Sequence, residues 1–280
     1  MDREIVLACL LAFEAGITAL AAGWLPASRD GQARASGRYL ERLAWRRLWL
    51  PLVPAALGGA LLFGWALREP SEAEVIPAWV FMVAIPGASL SARMAVRVVR
   101  ALRQAAGDPP AATVGLWNPR VIVSPRLFAV LDVGALSAVR AHEGAHARHH
   151  DPFRSLIARA AADLQWPWPA AAERLRAWRN ALELARDEEA RASGAEGADL
   201  AAAVVAAARL AVATPAAAVG ISRQDEFLRE RVQRLLLPLP PEPPAPRGFG
   251  ALFLTALTAA VFLGAQLGEA VLGAVLVSAR

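Results

Sequence analysis

Residues 48–67 run for twenty positions without a charged side chain, and nothing else limits the possible folds of this chain as strongly. A helix of about 20 residues spans the roughly 30 Å hydrocarbon core of a bilayer, so the run is read as a transmembrane helix. Three further stretches read the same way. Residues 5–25 are apolar except for Glu14, and residues 250–277 are apolar except for Glu269. Residues 75–92 carry no charge but contain Pro77 and Pro86-Gly87, which predicts a kinked or short span. Trp24, Trp45, Trp49, Trp65 and Trp79 lie near the ends of these runs, where amphipathic rings favour the membrane interface. Glu4, Glu14 and the lack of an early basic region argue against a cleaved signal peptide at the N-terminus.

Composition agrees, with 56% of the residues hydrophobic. The thirty basic residues are all arginine and are scattered along the chain, so no nucleic-acid partner is expected. The single cysteine, Cys9, lies in an apolar run and excludes a disulfide framework or a cysteine metal site. Charge gives orientation. Arg29, Arg34, Arg38, Arg42, Arg46 and Arg47 face only Asp30 and Glu41 between the first two runs, whereas Arg68 is outnumbered by Glu69, Glu72 and Glu74 in the next loop. The arginine-rich side is cytoplasmic by the positive-inside rule, which puts both termini outside. Arg93, Arg97, Arg100 and Arg103 follow the third run and agree, so the chain beyond them is cytoplasmic.

That cytoplasmic part holds all four histidines, His142, His146, His149 and His150. The first two enclose Glu143 in the pattern H-E-x-x-H. On a helix they stand one turn apart and project from one face, where they can bind one zinc ion together. Glu143 is then beside the metal, placed to take a proton from a water that the metal activates. Asp132 is the expected N-cap, and Leu136, Val139, His142, His146 and His149 form an inward stripe. Upstream, residues 113–116 and 121–124 read as short strands about Asn118-Pro119. They either offer an edge to an extended substrate or merely cover the helix. Downstream of the Trp166-Pro167-Trp168-Pro169 break, a helix to about Ser193 carries Glu183 and Asp187 four residues apart. Glu183 is the expected third ligand, and Asp187 can hold the free ring nitrogen of a ligand histidine. His149 and His150 are expected to pack or support rather than to ligate. Residues 200–220 read as a buried helix, and 238–246 as a Pro-rich linker. No residue is singled out to stabilise an oxyanion; Tyr39, the only tyrosine, lies in the first loop.

The three leading spans, Val121-Ile-Val-Ser-Pro125, Ala138-Val-Arg-Ala-His-Glu-Gly-Ala-His146 with Asp151 five residues on, the Trp/Pro break, and Glu183-Leu-Ala-Arg-Asp187 resemble the BlaR/MecR-type membrane metallopeptidases. Arg229-Glu-Arg231-Val-Gln-Arg-Leu235 also resembles a basic helix near the end of those domains. The resemblance implies His142, His146 and Glu183 as zinc ligands, Glu143 as general base and Asp187 in support. It implies a protein substrate, such as a transcriptional repressor or the protease itself. Gly144 departs from the family's larger apolar residue, and no extracellular sensor follows the last span, so antibiotic sensing is not implied. An HtpX-type protease would place spans between the two ligand helices, where this chain has Arg154, Arg159 and Asp163. The expected fold is an α-helical membrane protein of about four transmembrane helices with an inserted, mainly α, α+β zincin-like metallopeptidase domain. The expected division is 1–103 for the membrane region, 104–237 for the peptidase, 238–247 for the linker and 248–280 for the last span. A non-catalytic membrane transducer or scaffold with structural zinc, and a quality-control protease, are the rival readings.

Overall fold

The computed structural model describes residues 7–14, 16, 35–68, 78–104, 110–212, 221–241 and 249–278, which are mainly helical. Helix α1, Gly37–Trp49, begins where the Ser36 hydroxyl accepts the Tyr39 N–H at 3.2 Å, satisfying one of the amides left open by the first turn. A 3-10 turn, Leu50–Leu52, carries the chain into α2, Val53–Arg68. Among the described residues, Gly37–Leu67 is the one helix long and apolar enough to cross a membrane. The span expected at 48–67 is thus the apolar half of a longer rod. The arginine-rich stretch, expected to be a loop, is helical from Gly37 because its apolar positions have something to pack against. Leu48 is wholly buried with Ala158, Ala161, Trp178 and Leu182, and Trp45 and Trp49 pack on that cluster.

Among the described residues one helix meets the length and apolarity of a span, and the other three expected spans fall on stretches that are described in part. Residues 7–14 and 16 are helical, and the rest of 5–25 lies outside the described residues. The 75–92 stretch lies largely within α3, Ala78–Gln104, which contains Pro86 and continues through the arginines; residues 75–77 lie outside the described set. The 250–277 stretch lies within α10, Phe249–Ser278, a continuous helix of 30 residues. Helix α10 packs along α2 with backbones nearly touching. A Cβ on Gly64 would run into the Val261 carbonyl, and one on Gly264 into the Leu61 carbonyl. Glycines at a crossing allow that approach, which suits helices held by close packing.

The remaining elements form a small α+β unit. Strands β1, Ala111–Val114, and β2, Arg120–Val123, pair antiparallel with Ala111 opposite Val123 and Val114 opposite Arg120. The first begins at Ala111 and ends at Val114, short of the expected 116, because Gly115 takes a φ of 100°, and the second stops at Val123 because Ser124 caps a short helix instead of extending the strand. That helix, α4, is Pro125–Phe128, with the Leu127 N–H donating to Ser124 Oγ at 3.2 Å. Helices α5, Val133–Arg148, α6, Asp151–Leu164, α7, Pro169–Ala192, α8, Gly197–Val212, and α9, Ile221–Leu236, follow. Asp132 caps α5, its Oδ1 accepting the Ala135 N–H at 2.8 Å.

Helix α7 organises this unit. It packs on α1 along one side and on α5 and α6 along the other. The α1 contact is close because Gly37 has no side chain: a Cβ there would sit 2.5 Å from the Leu184 carbonyl carbon. Glu188 then accepts the Gly37 N–H at 2.6 Å, so α7 caps α1 as well as packing on it. Trp178, fully buried at the same interface, stacks at a tilt on Trp45 with ring centroids 5.2 Å apart. Burial of such a ring stabilises a core by about 3–5 kcal/mol relative to alanine. A second cluster of Ala138, Ala190, Leu200, Ala201 and Leu235 joins α5, α7, α8 and α9. Its small side chains bring the helices near enough for polar groups on α5, α7 and α9 to meet.

Candidate metal centre

His142 and His146 sit on the buried face of α5, one turn apart, with their Nε2 atoms 3.1 Å from each other. Helix α7 crosses them so that Glu183 lies 3.5 Å from the Nε2 of His142 and 3.6 Å from that of His146. One ligand atom from each residue falls within 4.8 Å of the others, and the three could hold a metal ion. The donor set fits. Arms of 2.0–2.1 Å in a tetrahedral site put neighbouring donors about 3.3 Å apart, and the three separations bracket that value.

The outer nitrogens of both rings meet carboxylates. His146 Nδ1 lies 2.9 Å from Asp151 Oδ2 in a buried hydrogen bond, which puts the proton on Nδ1 and turns the Nε2 lone pair toward the centre. His142 Nδ1 is 2.9 Å from Asp187 Oδ1, an electrostatic contact at an angle that makes no aligned hydrogen bond. Each carboxylate is in turn gripped by arginine. Arg186 Nε and Nη2 donate to Asp151 at 2.5 and 3.1 Å, and Arg154 Nη1 donates at 3.0 Å. Arg154 also pairs with Glu41 of α1. Arg231 of α9 donates to both oxygens of Asp187 at 2.9 Å and stands 3.0 Å from Glu183 Oε2.

Local structure explains these positions. Asp151 occupies the first turn of α6, where a carboxylate is favoured and where Pro152 presets the helical φ. Glu183 and Asp187 share one face of α7 because they are four residues apart. Burial alone would lower the His142 pKa, but Asp187 and Glu183 outweigh it and push it up to about 10. Burial would raise Glu183, yet Arg231 and the two histidines hold its carboxyl well below the usual range.

Glu143 faces a cleft of about 680 Å³ that it shares with His142, His146 and Glu183. The Thr113 hydroxyl on β1 lies 2.9 Å from Glu143 Oε2 and 2.7 Å from its carbonyl oxygen, and donates to one of them at a time. Residues 110–113 line the same cleft. The sheet has two strands among the described residues, so the outer edge of β1 has no strand partner there.

The inward stripe ends at His146. Helix α5 stops at Arg148, His149 is exposed and lies 2.8 Å from Glu189 Oε2, and His150 is exposed with a left-handed φ of 52°. Neither is among the residues that could hold the ion, though the Glu189 oxygen that His149 meets also accepts from Arg186 at 3.4 Å. Leu136 is only partly buried, and Ala135 and Ala138 take the inner positions. Asp151, Arg186, Arg231 and Thr113 belong to the site although the sequence reading gave them no part in it. The sequence marked Asp151 by its place five residues past His146 in the family-like phrase, and Arg231 by its place in the basic helix, without a role for either. Comparison with protein-family models, with curated proteins and with solved structures finds no match.

Proposed function

We propose that this chain is a membrane-embedded zinc endopeptidase with its active site on the cytoplasmic side. The observation that carries the reading is the convergence of His142, His146 and Glu183 beside the Glu143 carboxylate in one open cleft. His142, His146 and Glu183 would hold a zinc ion, which when bound would supply the Lewis acidity that activates water and polarises a carbonyl. Glu143 takes the proton of the attacking water and passes it to the leaving amine. Thr113 holds that carboxylate in place. The free edge of β1 pairs with an extended substrate backbone along the cleft wall.

Membrane attachment is supported by the Gly37–Leu67 helix and by large apolar side chains that face outward on three helices. Phe63 of α2, Met82 and Ile85 of α3, and Leu252 and Phe262 of α10 are all more than half exposed. A surface this apolar is accounted for by lipid. Four spans with both termini outside complete the reading, and the substrate is a cytoplasmic or membrane-associated protein, such as a repressor or the chain itself.

Elemental analysis of the detergent-purified protein tests the centre. About one zinc per chain is expected in the parent, with much less in His142→Ala and Glu183→Ala. Glu143→Gln should retain zinc and lose proteolysis. No zinc in the parent, or none lost in Glu183→Ala, would overturn the ligand set; retained proteolysis in Glu143→Gln would remove the assigned base.

A further inference from the structure

Two arginines of the cleft take no part in the metal centre. Arg159 of α6 and Arg179 of α7 both line it, and no hydrogen bond or ion pair joins either to another described residue. The arginines around the metal residues are different: Arg154 meets Glu41 and Asp151, Arg186 meets Asp151, and Arg231 meets Asp187 and Glu183. Arg159 and Arg179 are each partly buried. Burial lowers the pKa of Arg179, and the nearby charge of Arg159 lowers it further. Two like charges brought together in a cavity are not explained by the fold, which gains nothing from their proximity. An anion entering the cleft would relieve the repulsion and gain charge-assisted hydrogen bonds from two planar forks.

Their distance from the centre follows from the helices. Arg179 precedes Glu183 by one turn of α7, and Arg159 follows Asp151 by two turns of α6, with Ser155 between them on the same face and also lining the cleft. At 1.5 Å per residue these offsets are about 6 and 12 Å along the helix axes. An extended peptide advances about 3.3 Å per residue, so an anion there lies roughly two to four residues from a bond held at the centre. The cavity is shared with β1 and the metal ligands, so the pair flanks the path of an extended chain. We propose that Arg159 and Arg179 form an anion-binding subsite that takes an Asp or Glu side chain of a peptide substrate, two to four residues from the bond at the metal centre. The identity of the ligand as a peptide rests on the endopeptidase reading.

The test uses zinc-loaded, full-length Glu143→Gln protein in zwitterionic detergent. Two pools of short fluorescent peptides, alike except for Glu in one and Gln in the other, are compared by anisotropy. The Glu pool should bind about tenfold more tightly, as one charge-assisted hydrogen bond allows. Adding Arg159→Gln and Arg179→Gln together should abolish the preference, adding Arg159→Lys and Arg179→Lys should keep most of it, and all variants should hold the parent's zinc. Equal or absent binding of the two pools to the parent overturns the subsite, as does a preference that survives removal of both charges. Loss of the preference on adding phosphatidylglycerol would reassign the pair to a lipid headgroup and overturn it too. Cleavage by the active protein is scored separately. A Glu preference without cleavage would sink the peptidase reading and leave the anion site standing, and cleavage without the preference would do the reverse.

Discussion

Arg231 holds Asp187 through two parallel hydrogen bonds, Nε to Oδ2 and Nη2 to Oδ1, each 2.9 Å long. Its remaining nitrogen stands 3.0 Å from Glu183, so one guanidinium on α9 aligns both the proposed third ligand and Asp187 beside His142. A planar fork can do this and a point charge cannot. Arg231→Lys should therefore lower zinc affinity about 10- to 100-fold while the protein stays folded. Arg231→Gln should also lose about 3–5 kcal/mol of stability, because Asp187 is left buried and unpaired. Competition with a chromophoric chelator and thermal melting measure the two effects; unchanged zinc affinity in the lysine variant would mean that charge alone suffices.

Thr113 and Glu143 separate metal binding from proton transfer. In Thr113→Val the carboxylate loses its hydroxyl donor, and cleavage should slow about tenfold, the effect of one hydrogen bond of roughly 1.4 kcal/mol. Zinc content should not change. A loss of zinc in this variant would instead assign the hydroxyl a part in shaping the metal centre.

Asp151 predicts the acid limit of stability. Burial would raise its pKa, but His146 and Arg186 outweigh burial and hold it well below the ordinary 3.8. A group depressed on folding contributes its stability above the unfolded pKa and loses it as pH falls through the range between the two values. Melting temperature should thus drop as pH is taken below about 4. Asp151→Asn should be less stable at neutral pH and show a shallower acid dependence. Melts from pH 7 to 3 on both proteins check this, and parallel curves would show that other carboxylates control the acid limit.

Two glycines should respond in opposite ways. Gly144 lies inside α5, and a Cβ added there would meet only Arg148 Nη1, at 3.5 Å, so Gly144→Ala should stabilise the helix by about 0.5–1 kcal/mol. A Cβ on Gly37 would lie 2.5 Å from the Leu184 carbonyl carbon, and Gly37→Ala should destabilise the α1–α7 contact by about 1–3 kcal/mol. Denaturant unfolding of both variants measures the signs. A neutral Gly37→Ala would show that α1 shifts on α7 at little cost.

Local chemistry was readable from the residues themselves. H-E-x-x-H places two imidazoles on one helical face whatever surrounds it, Asp132 caps the helix through its own backbone neighbours, and Glu183 and Asp187 share a face by their spacing alone. The strands about Asn118-Pro119 were readable for the same reason, although Ser124 belongs to the cap of α4 and not to β2. Helix ends were less legible. His149 continued the spacing of the stripe, but α5 stops before it and the ring turns to Glu189 at the surface.

The sequence by itself determined which residues can carry a metal and a proton, because those abilities reside in side-chain chemistry and in spacings of three and four along one helix. Only the tertiary structure decided how they are held. Arg186 reaches Asp151 across 35 residues, Arg231 reaches Asp187 across 44, and Glu188 caps Gly37 across 151. Among thirty arginines nothing local distinguishes the three that grip a carboxylate at the candidate centre from the two whose charges meet in the cleft. That difference arises from the angles at which α6, α7 and α9 cross, which are set by the packing of small side chains between helices and are not written in the spacing along any one of them.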